Sequence, residues 1–350
     1  VLAGRIQSDL PLEGKTTVGS QFVSARTTNV EAEQRISLTV TFDDVHIHLE
    51  GLPEEAGPAV EEGTELVRKV SEDTAAFTEG MELIVDAPLG DIRIEGTDED
   101  AVRVKASKLA RLQSKSNASA VLDAIELSVK TLDNRIRIQT HVQDNMESLG
   151  CTYYRVDLEI QCPRTAPLKV TGANGHTSVS SMGGPVFIEQ MDGVVAIEHV
   201  KGQLEITNHK GDVQVFECGG PLTLSVKDGT ATTRDIYGKQ AIDCLGGKVI
   251  VDAPHGEVFV NSRGGDVRII ALDGVDGDYG VRVEGGDLSL LVPSTADATL
   301  YVTATNGIVF PAIPLTGSID GPVRKYQGRL NNGRYTLTLE TKDGDIAIID

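Results

Sequence analysis

Five aspartates each follow a glycine at the start of an alternating apolar segment. Carboxylates that meet in twos or threes on one outer face can cleave glycosidic bonds. A short polar side chain directly after glycine can instead accept hydrogen bonds from nearby backbone amides. We predict this structural role rather than a catalytic one. The five are Asp91, Asp212, Asp266, Asp287 and Asp345.

Two further groups of side chains have the donor types of a metal site. Asp273, Asp276 and Asp278 carry oxygen ligands for a hard cation, but not with the spacing of a helix–loop–helix site. His46 and His48 alternate and would share one strand face, a weak metal pair with no third ligand nearby. We expect a solvated loop at 273–278. The sequence predicts no catalytic residue, no cofactor-binding residue, no metal ligand and no cofactor.

The four cysteines show no metal or redox spacing. Cys218 and Cys244 occupy apolar positions of a repeat, so we predict that both are buried. Cys151 and Cys162 flank one predicted strand and could form a disulfide if the protein is exported. The cysteines therefore leave the redox compartment open.

The elements that carry these residues follow a nonapeptide glycine repeat. With glycine as position 1, positions 3 and 5 are mostly Val, Leu, Ile or Ala, and Thr177, Gln240 and Thr233 are the exceptions. Apolar residues two apart lie on one face of a strand, so each repeat predicts a strand followed by a turn. Glycine suits that turn because a positive φ or a close backbone approach is least costly without a Cβ. The glycines are Gly175, Gly184, Gly193, Gly202, Gly211, Gly220, Gly229, Gly238, Gly247, Gly256, Gly265 and Gly274.

Position 8 indicates how many repeats form one coil. It is apolar in every second repeat and mixed in the others, which predicts a coil of two repeats with two sheets, one packed corner and one more exposed corner. A three-sided coil of three repeats is the structural alternative. Neighbouring coils must stack, because a single short strand cannot bury its apolar face alone. The apolar set is Met182, Val200, Cys218, Ile236, Pro254 and Leu272, and the mixed set is Met191, His209, Lys227, Leu245 and Arg263.

Stacking every second repeat also tests whether the chain could be an enzyme. One outward column at position 6 contains Arg234 next to Asp252, which predicts an ion pair, and no two acids are vertical neighbours. No position holds aspartate from repeat to repeat, which excludes the calcium-binding nonapeptide pattern. The columns are Glu189, Thr207, Ser225, Asp243 and Asn261, and Ser180, Glu198, Phe216, Arg234, Asp252 and Ile270.

Outside the strict repeat, alternating segments predict further strands, and a longer step after Gly274 predicts an insertion at a corner. Helix signals are confined to 58–73 and 117–127. We divide the chain into an N-terminal β-rich cap or attachment segment, 1–80, and a β-solenoid, 81–350, with the strict repeats at 175–274. The predicted strands outside the repeat lie at 36–42, 81–86, 91–94, 101–104, 135–138, 155–160, 299–303, 335–339 and 346–349.

Composition limits the partners. Fifty-two acidic against 32 basic residues give a net charge of -20, which repels nucleic acid and anionic lipid. No apolar run is long enough to span a membrane. The chain contains no Trp and only 14 Tyr and Phe, which argues against an aromatic platform for sugars. The first residue is Val1 rather than Met, which suggests processing or trimming.

Several segments together resemble a known family. They are Leu-Ile-Val-Asp-Ala-Pro-Leu-Gly-Asp-Ile-Arg-Ile at 83–94, Val-Asp-Leu-Glu-Ile-Gln-Cys-Pro at 156–163, Leu-Lys-Val-Thr-Gly at 168–172 and Thr-Lys-Asp-Gly-Asp-Ile-Ala-Ile at 341–348. Across roughly 81–350 the chain resembles the β-strand-repeat putative adhesin family, a domain of unknown function also called the putative auto-transporter adhesin head domain. The resemblance implies a right-handed single-stranded parallel β-helix on secreted or envelope-associated proteins, with no catalytic residues to carry over.

From these observations we predict an all-β, right-handed parallel β-helix (β-solenoid) of about 18 residues per coil, two nonapeptides in each. Its expected function is a non-enzymatic, adhesin-like or structural module, extracellular or in the cell envelope. Its partner would be a protein or envelope component, with a homo-oligomer or filament formed through the solenoid ends. A carbohydrate-active β-helix enzyme and an intracellular signalling or stress-response module are the alternatives.

Overall fold

The computed structural model describes residues 65–114 and 117–350, together with the backbone of three short strands closer to the N-terminus. The chain forms two compact units, Val1–Thr64 and Glu65–Asp350. In the first unit the three strands form one sheet in the order β1-β3-β2. These strands are β1 (Ile6–Gln7), β2 (Ser37–Val40) and β3 (Val45–His48); the predicted strand at 36–42 contains β2.

The second unit begins with strands and one short helix. The predicted helix at 58–73 is wrong over 65–73, where a strand pairs antiparallel with a neighbour along its whole length; residues 58–64 lie outside the described part. The predicted helix at 117–127 is shorter than expected and gives way to a strand at Ile125. The elements are β4 (Glu65–Ala76), β5 (Glu82–Leu89), β6 (Ile92–Thr97), β7 (Ala101–Leu112), α1 (Ala118–Ala124), β8 (Ile125–Leu132), β9 (Arg135–Val142) and β10 (Cys151–Pro163).

The glycine-repeat region is a succession of short strands that alternate between two sheets. Odd-numbered strands from β11 to β23 lie in a 14-stranded sheet, and even-numbered strands from β12 to β24 lie in a 13-stranded sheet. The strands are β11 (Leu168–Asn174), β12 (Thr177–Ser180), β13 (Val186–Asp192), β14 (Val195–Glu198), β15 (Leu204–Lys210), β16 (Val213–Cys218), β17 (Leu222–Asp228), β18 (Ala231–Ile236), β19 (Gln240–Leu245), β20 (Val249–Asp252), β21 (Val258–Arg263), β22 (Val267–Ile270), β23 (Tyr279–Glu284) and β24 (Leu288–Leu291).

Six strands follow the repeats. The alternating segments predicted at 299–303, 335–339 and 346–349 are all strands, and the five predicted between 81 and 160 are strands as well. The six are β25 (Ala298–Thr305), β26 (Val309–Pro311), β27 (Thr316–Asp320), β28 (Val323–Leu330), β29 (Tyr335–Lys342) and β30 (Ile346–Ile349).

Strand pairing in the repeats is parallel, and each residue lies opposite its equivalent two repeats along the chain. Val186 lies opposite Leu204, and Leu204 lies opposite Leu222. The 13-stranded sheet keeps the same offset, as in Val195 opposite Val213. The predicted spacing of two repeats is confirmed, and the alternative of three repeats is wrong for the ladder pairs from β11 to β22. We call each pair of consecutive strands, such as β13 and β14, a layer.

Apolar side chains at positions 3 and 5 fill the space between the two sheets. Val186, Ile188, Val195 and Ile197 of one layer are at most 3 % exposed, and one cluster of buried residues runs from Phe77 to Ile348. The β-branched side chains suit this role because they are stiff and pack well against equivalent neighbours on a pleated sheet. The core therefore continues from layer to layer.

The two corners of a layer differ as predicted. At the corner where the chain leaves the 13-stranded sheet, the packed corner, Met182, Val200, Cys218 and Ile236 are buried. At the corner where it leaves the 14-stranded sheet, the open corner, Met191 is 51 % exposed. Leu272 is an exception to the apolar set because it is 56 % exposed in the insertion.

The packed corner has a backbone feature that the repeat did not predict. One residue in each of five successive layers is left-handed although it is not glycine, with φ between 45° and 61°. This conformation turns the chain so that the next side chain points into the core, and asparagine, aspartate and histidine tolerate it best among non-glycine residues. The five are Ser181, His199, Glu217, Asp235 and Ala253.

Close stacking explains most of the repeat glycines. A Cβ on Gly229 would lie 2.0 Å from the carbonyl oxygen of Gly211, and one on Gly265 would lie 1.6 Å from that of Gly247. Gly274 is not part of this column, because a Cβ there would meet nothing within 4 Å. Gly277 takes its place, 2.4 Å from the oxygen of Gly256. The nine-residue glycine spacing runs to Gly274, but the last glycine in strict phase that stacks on a neighbouring layer is Gly265.

The insertion lies at the packed corner between β22 and β23. Val258 lies opposite Tyr279 and Val267 lies opposite Leu288, so the ladder offset lengthens by the same amount in both sheets. The predicted corner insertion is confirmed. Pairing resumes without a change of face because the whole insertion is absorbed by the corner.

At both ends of the second unit, the order of the strands in the two sheets differs from their order along the chain. At one end, β5 and β6 lie between the layer β11/β12 and the strands β9 and β10. At the other end, β29 and β30 lie between the layer β23/β24 and the strands β25 and β26. The two sheets have four edge strands, and three of these pair antiparallel with their neighbours: β4 with β7, β8 with β9 and β27 with β28.

Candidate functional site

The aspartates that follow glycine bind the backbone of a neighbouring layer. The carboxylate of Asp212 accepts a hydrogen bond of 2.8 Å from the amide of Thr230, and that of Asp345 accepts one of 2.8 Å from Ile308. The predicted bonding to backbone amides is confirmed, but it joins layers rather than closing a turn. The other three accept from His176, Asp287 and Asp345, through Asp91, Asp266 and Asp287 respectively.

The acidic loop uses two of its three carboxylates in the same way. Asp276 accepts the amide of Gly256 at 2.9 Å, and Asp278 accepts that of Thr336 at 2.8 Å. Within 65–114 and 117–350, no group of three or more His, Cys, Asp or Glu side chains is arranged to hold a metal ion. The side chains of His46 and His48 lie outside the described residues.

A histidine joins this loop to the previous layer. The Nε2 atom of His255 lies 3.8 Å from Asp235, and its Nδ1 atom lies 3.7 Å from Asp276. The ring stacks on Tyr237 with a centroid distance of 4.3 Å. The two carboxylates and the ring together form a polar contact across the packed corner.

The cysteines are all free and buried. Cys151 and Cys162 stand near opposite ends of β10, about 36 Å apart at ~3.3 Å per residue, so the disulfide that the sequence left open does not form. Burial raises the pKa of Cys162 to about 12 and that of Cys218 to about 11. Because the thiolate is the reactive form, these side chains act as small apolar groups, as predicted for Cys218 and Cys244.

The predicted ion pair at position 6 is present. Nε of Arg234 lies 3.8 Å from Asp252, and the guanidinium also lies 5.3 Å from the ring of Phe216. Burial raises the pKa of Asp252, while the charge of Arg234 opposes that rise. The pair therefore bridges two layers on the outer face of the 13-stranded sheet.

Inside the open corner, buried polar side chains bind the carbonyl groups of the stacked backbone. The amide of Gln190 donates to Gly175 and Asp192, and the amide of Asn208 donates to Gly193 and Gly211. Farther along, the hydroxyl of Ser262 donates to Gly265. These residues occupy position 7, and the signal for them in the sequence is a polar residue that recurs on an inward face.

On the outside of the open corner lies a groove of about 470 Å³ that spans four layers. Two outward columns line it, at positions 6 and 8 of the repeat. Lys227 and Arg263 are exposed. Arg263 lies opposite Glu284 of the next layer, and the pKa of that carboxyl is lowered first by Lys342 and also by the charge of Arg263. Asp243 accepts a 3.0 Å hydrogen bond from the side chain of Asn261. The columns are Thr207, Ser225, Asp243 and Asn261, and His209, Lys227, Leu245 and Arg263.

The repeat pattern places these residues in columns, but it does not join the columns into one site. Both positions have the same parity along a strand, so their side chains leave the sheet on the same face. That parity, combined with the pairing of every second repeat, was the signal for the groove. Among the described residues, no helix is long and apolar enough to cross a membrane.

Comparison with known proteins gives matches among solved structures only. No family model and no curated protein matches the chain. A putative adhesin from Parabacteroides merdae is 9 % identical, with 81 % of this chain and 97 % of that chain covered and a TM-score of 0.33. A putative cell adhesion protein from Clostridium sporogenes is 10 % identical, with coverage of 80 % and 99 % and a TM-score of 0.23.

A third match is a putative lipid binding protein from Parabacteroides distasonis. It is 11 % identical, with 81 % of this chain and 97 % of that chain covered and a TM-score of 0.34. These neighbours are described as adhesion or binding proteins, not as enzymes.

Proposed function

We propose that residues 81–350 form a right-handed, single-stranded parallel β-solenoid that serves as a non-enzymatic, adhesin-like or structural module. The observation that carries this proposal is the columnar outer surface. Parallel pairing of every second repeat brings equivalent side chains of successive layers side by side, about 4.8 Å apart. A surface of this kind presents outward side chains to an extended partner at the regular spacing of the strands.

The engagement of the carboxylates supports a binding role over hydrolysis. Glycosidases need two free carboxyl groups that face one bond. Asp212, Asp276 and Asp345 are instead bonded to backbone amides. Their position strengthens the stack and leaves the display of side chains to the outward columns.

The proposed partner is a protein or envelope component, and the proposed location is extracellular or in the cell envelope. The segment 1–80 acts in this proposal as a cap or attachment segment. Self-association through the ends of the solenoid is part of the proposal, because every residue of the terminal strand β27 is exposed. An exposed strand edge presents unpaired backbone groups to another chain.

The experiment that tests this function is retention of the purified full chain by envelope fractions of the source organism. Polysaccharide, peptidoglycan and protein fractions are immobilised separately, and reducing ends released from the polysaccharide are measured in the same samples. Retention by one fraction without release of reducing ends is the expected result. Release of reducing ends would establish the enzyme alternative, and no retention by any fraction would contradict the proposal. Small-angle X-ray scattering of the same sample tests the elongated shape of a solenoid.

A further inference from the structure

The open-corner groove brings together hydroxyl, amide, carboxylate and cationic side chains in a regular array. Thr207, Ser225, Asp243 and Asn261 are paired in register on four neighbouring strands of one sheet. The second column runs parallel to them, two positions farther along each strand. A volume of about 470 Å³ is within the range of sites that bind small ligands.

The charge of the groove differs from that of the molecule. The protein carries a net charge of -20, yet among the described residues Asp243 is the one acid that lines this groove, against Lys227 and Arg263. Both cations are exposed. Glu284 lies opposite Arg263, but its carboxylate accepts a 2.6 Å hydrogen bond from Lys342, so the guanidinium can still bind an anion. Lys227 and Arg263 are two layers apart, which corresponds to about 9.6 Å at ~4.8 Å per strand.

We propose that the groove binds a linear, carboxylate-bearing polysaccharide that runs along the stack of layers. This inference rests on the proposed function and names its ligand. The cations bind carboxylates of the polymer, since charge-assisted hydrogen bonds are the strong ones. The hydroxyls of Thr207 and Ser225 and the carboxylate of Asp243 bind sugar hydroxyls. Leu245, 47 % exposed between the two cations, contacts the apolar C–H face of a sugar ring.

The charge density of the polymer determines which class of polyanion the groove favours. Two cations spaced by two layers match a polymer with isolated carboxylates. A densely sulfated or phosphorylated polymer meets the repulsion of a strongly acidic protein over most of its length. The carboxylate of Asp243 adds to this discrimination because it repels anions but accepts hydrogen bonds from hydroxyl groups.

The test is affinity electrophoresis and biolayer interferometry of the full chain with polygalacturonate, heparin and dextran, in EDTA and at low ionic strength. We expect saturable binding to polygalacturonate that weakens with added salt, weaker binding to heparin and none to dextran. Lys227→Glu and Arg263→Glu should each weaken polygalacturonate binding about tenfold, as loss of one charged hydrogen bond predicts.

The matched control is Lys201→Glu, which makes the same charge change at an exposed lysine of the packed corner. It should leave binding within about twofold of the unmodified chain. Circular dichroism and thermal unfolding of all variants show whether the fold is kept. Equal loss in the control, or unchanged binding in both groove variants, would overturn the site.

Two other outcomes separate this inference from the proposed function. Tighter binding to heparin than to polygalacturonate would overturn the carboxylate class. Retention of the chain by an envelope fraction, together with no binding to polygalacturonate, would refute the ligand while leaving the adhesin-like function in place. Loss of polygalacturonate binding in Lys227→Glu or Arg263→Glu, with the fold and the control's binding kept, supports the inference.

Discussion

The hydroxyl of Thr233 donates a 2.8 Å hydrogen bond to the side-chain oxygen of Gln240, and both side chains are buried. These are two of the three polar exceptions in the apolar repeat. The third, Thr177, makes the same kind of bond to Gln190 at 2.9 Å. Each exception is therefore compensated by a partner on the facing sheet.

The first prediction concerns this pair. Thr233→Val alone leaves the side-chain oxygen of Gln240 without its partner in the core and should lower the free energy of unfolding by about 1–3 kcal/mol. The double variant Thr233→Val/Gln240→Leu removes both polar groups and should be as stable as the unmodified chain or more so. Urea unfolding followed by circular dichroism gives the free energy of unfolding of the unmodified chain, the single variants Thr233→Val and Gln240→Leu, and the double variant. If the losses in free energy of unfolding of the two single variants add up in the double variant, the hydrogen bond does not couple Thr233 and Gln240.

The second prediction concerns the stacked glycines. Gly229→Ala places a methyl group 2.0 Å from the carbonyl oxygen of Gly211, so the layers must separate locally, at a cost of about 1–3 kcal/mol or more. Gly219→Ala is the matched control, because the nearest atom to its added Cβ is 3.8 Å away. The control should change stability by less than about 1 kcal/mol. Comparable midpoints of thermal unfolding for the two variants would contradict the close-stacking explanation.

The third prediction concerns the aspartate that links layers. Asp212→Ala removes the acceptor for the amide of Thr230, so hydrogen exchange at that amide should become faster, and stability should fall by about 0.5–1.5 kcal/mol. Asp228→Ala, at the next open corner, removes an exposed aspartate without a recorded side-chain hydrogen bond and serves as control. Unchanged protection at Thr230 would rule out the bond as a link between layers.

The fourth prediction concerns the thiols. At pH 8 none of the four cysteines should react with a thiol reagent in the folded protein, and all four should react in urea. Burial raises the pKa of Cys162 to about 12. At a pH between the unfolded and the folded pKa, the thiol therefore stays protonated in the folded chain and ionises in the unfolded chain. The stability that this group contributes is complete below the unfolded pKa of about 8.5 and is lost as pH rises from there through the folded pKa of about 12. Cys162→Ala should lower stability at pH 8 and flatten its decline at alkaline pH. A disulfide between Cys151 and Cys162 in the mass spectrum of the unreduced protein would contradict the structure.

The fifth prediction concerns the edge strand β27. Ile319 is 65 % exposed there, so an added charge should block edge pairing without affecting the core. If the chain associates through this edge, Ile319→Lys should shift sedimentation at high protein concentration toward the monomer. Leu132→Lys, on the edge strand β8 with 63 % exposure, is the matched variant at the other end. If the unmodified chain and both variants associate equally, the chain does not self-associate through the edge strands β27 and β8.

The repeat residues predicted the middle of the fold well because each local pattern is reinforced by its equivalent two repeats along the chain. Val186 and Leu204 show this most directly, since their types, spacing and facing positions all agree. The left-handed residues of the packed corner, such as Glu217, could not be predicted from type, because the turn is imposed by stacking. Gly274 keeps the spacing of the repeat, but the insertion moves the stacked position to Gly277, which the spacing alone could not indicate.

The strand pairings at the two ends and the groove could not be predicted from the sequence. Leu83 of β5 pairs with Leu168 of β11, and Tyr279 of β23 pairs with Leu337 of β29. No periodicity connects segments so far apart in the chain. The groove depends on two columns whose members are individually ordinary, and only the observed register shows that Lys227, Leu245 and Arg263 face the same space.

The crossed order of strands at the far end has a consequence for the time course of folding. The slot between β23/β24 and β25/β26 stays empty until residues 335–349 have been synthesised. The strands β25 and β26 therefore cannot dock stably as they emerge, although the repeats before them can stack one after another. Pairings at long sequence separation are slow to form, so closure of this slot should be the late, rate-limiting event for a chain that otherwise assembles layer by layer.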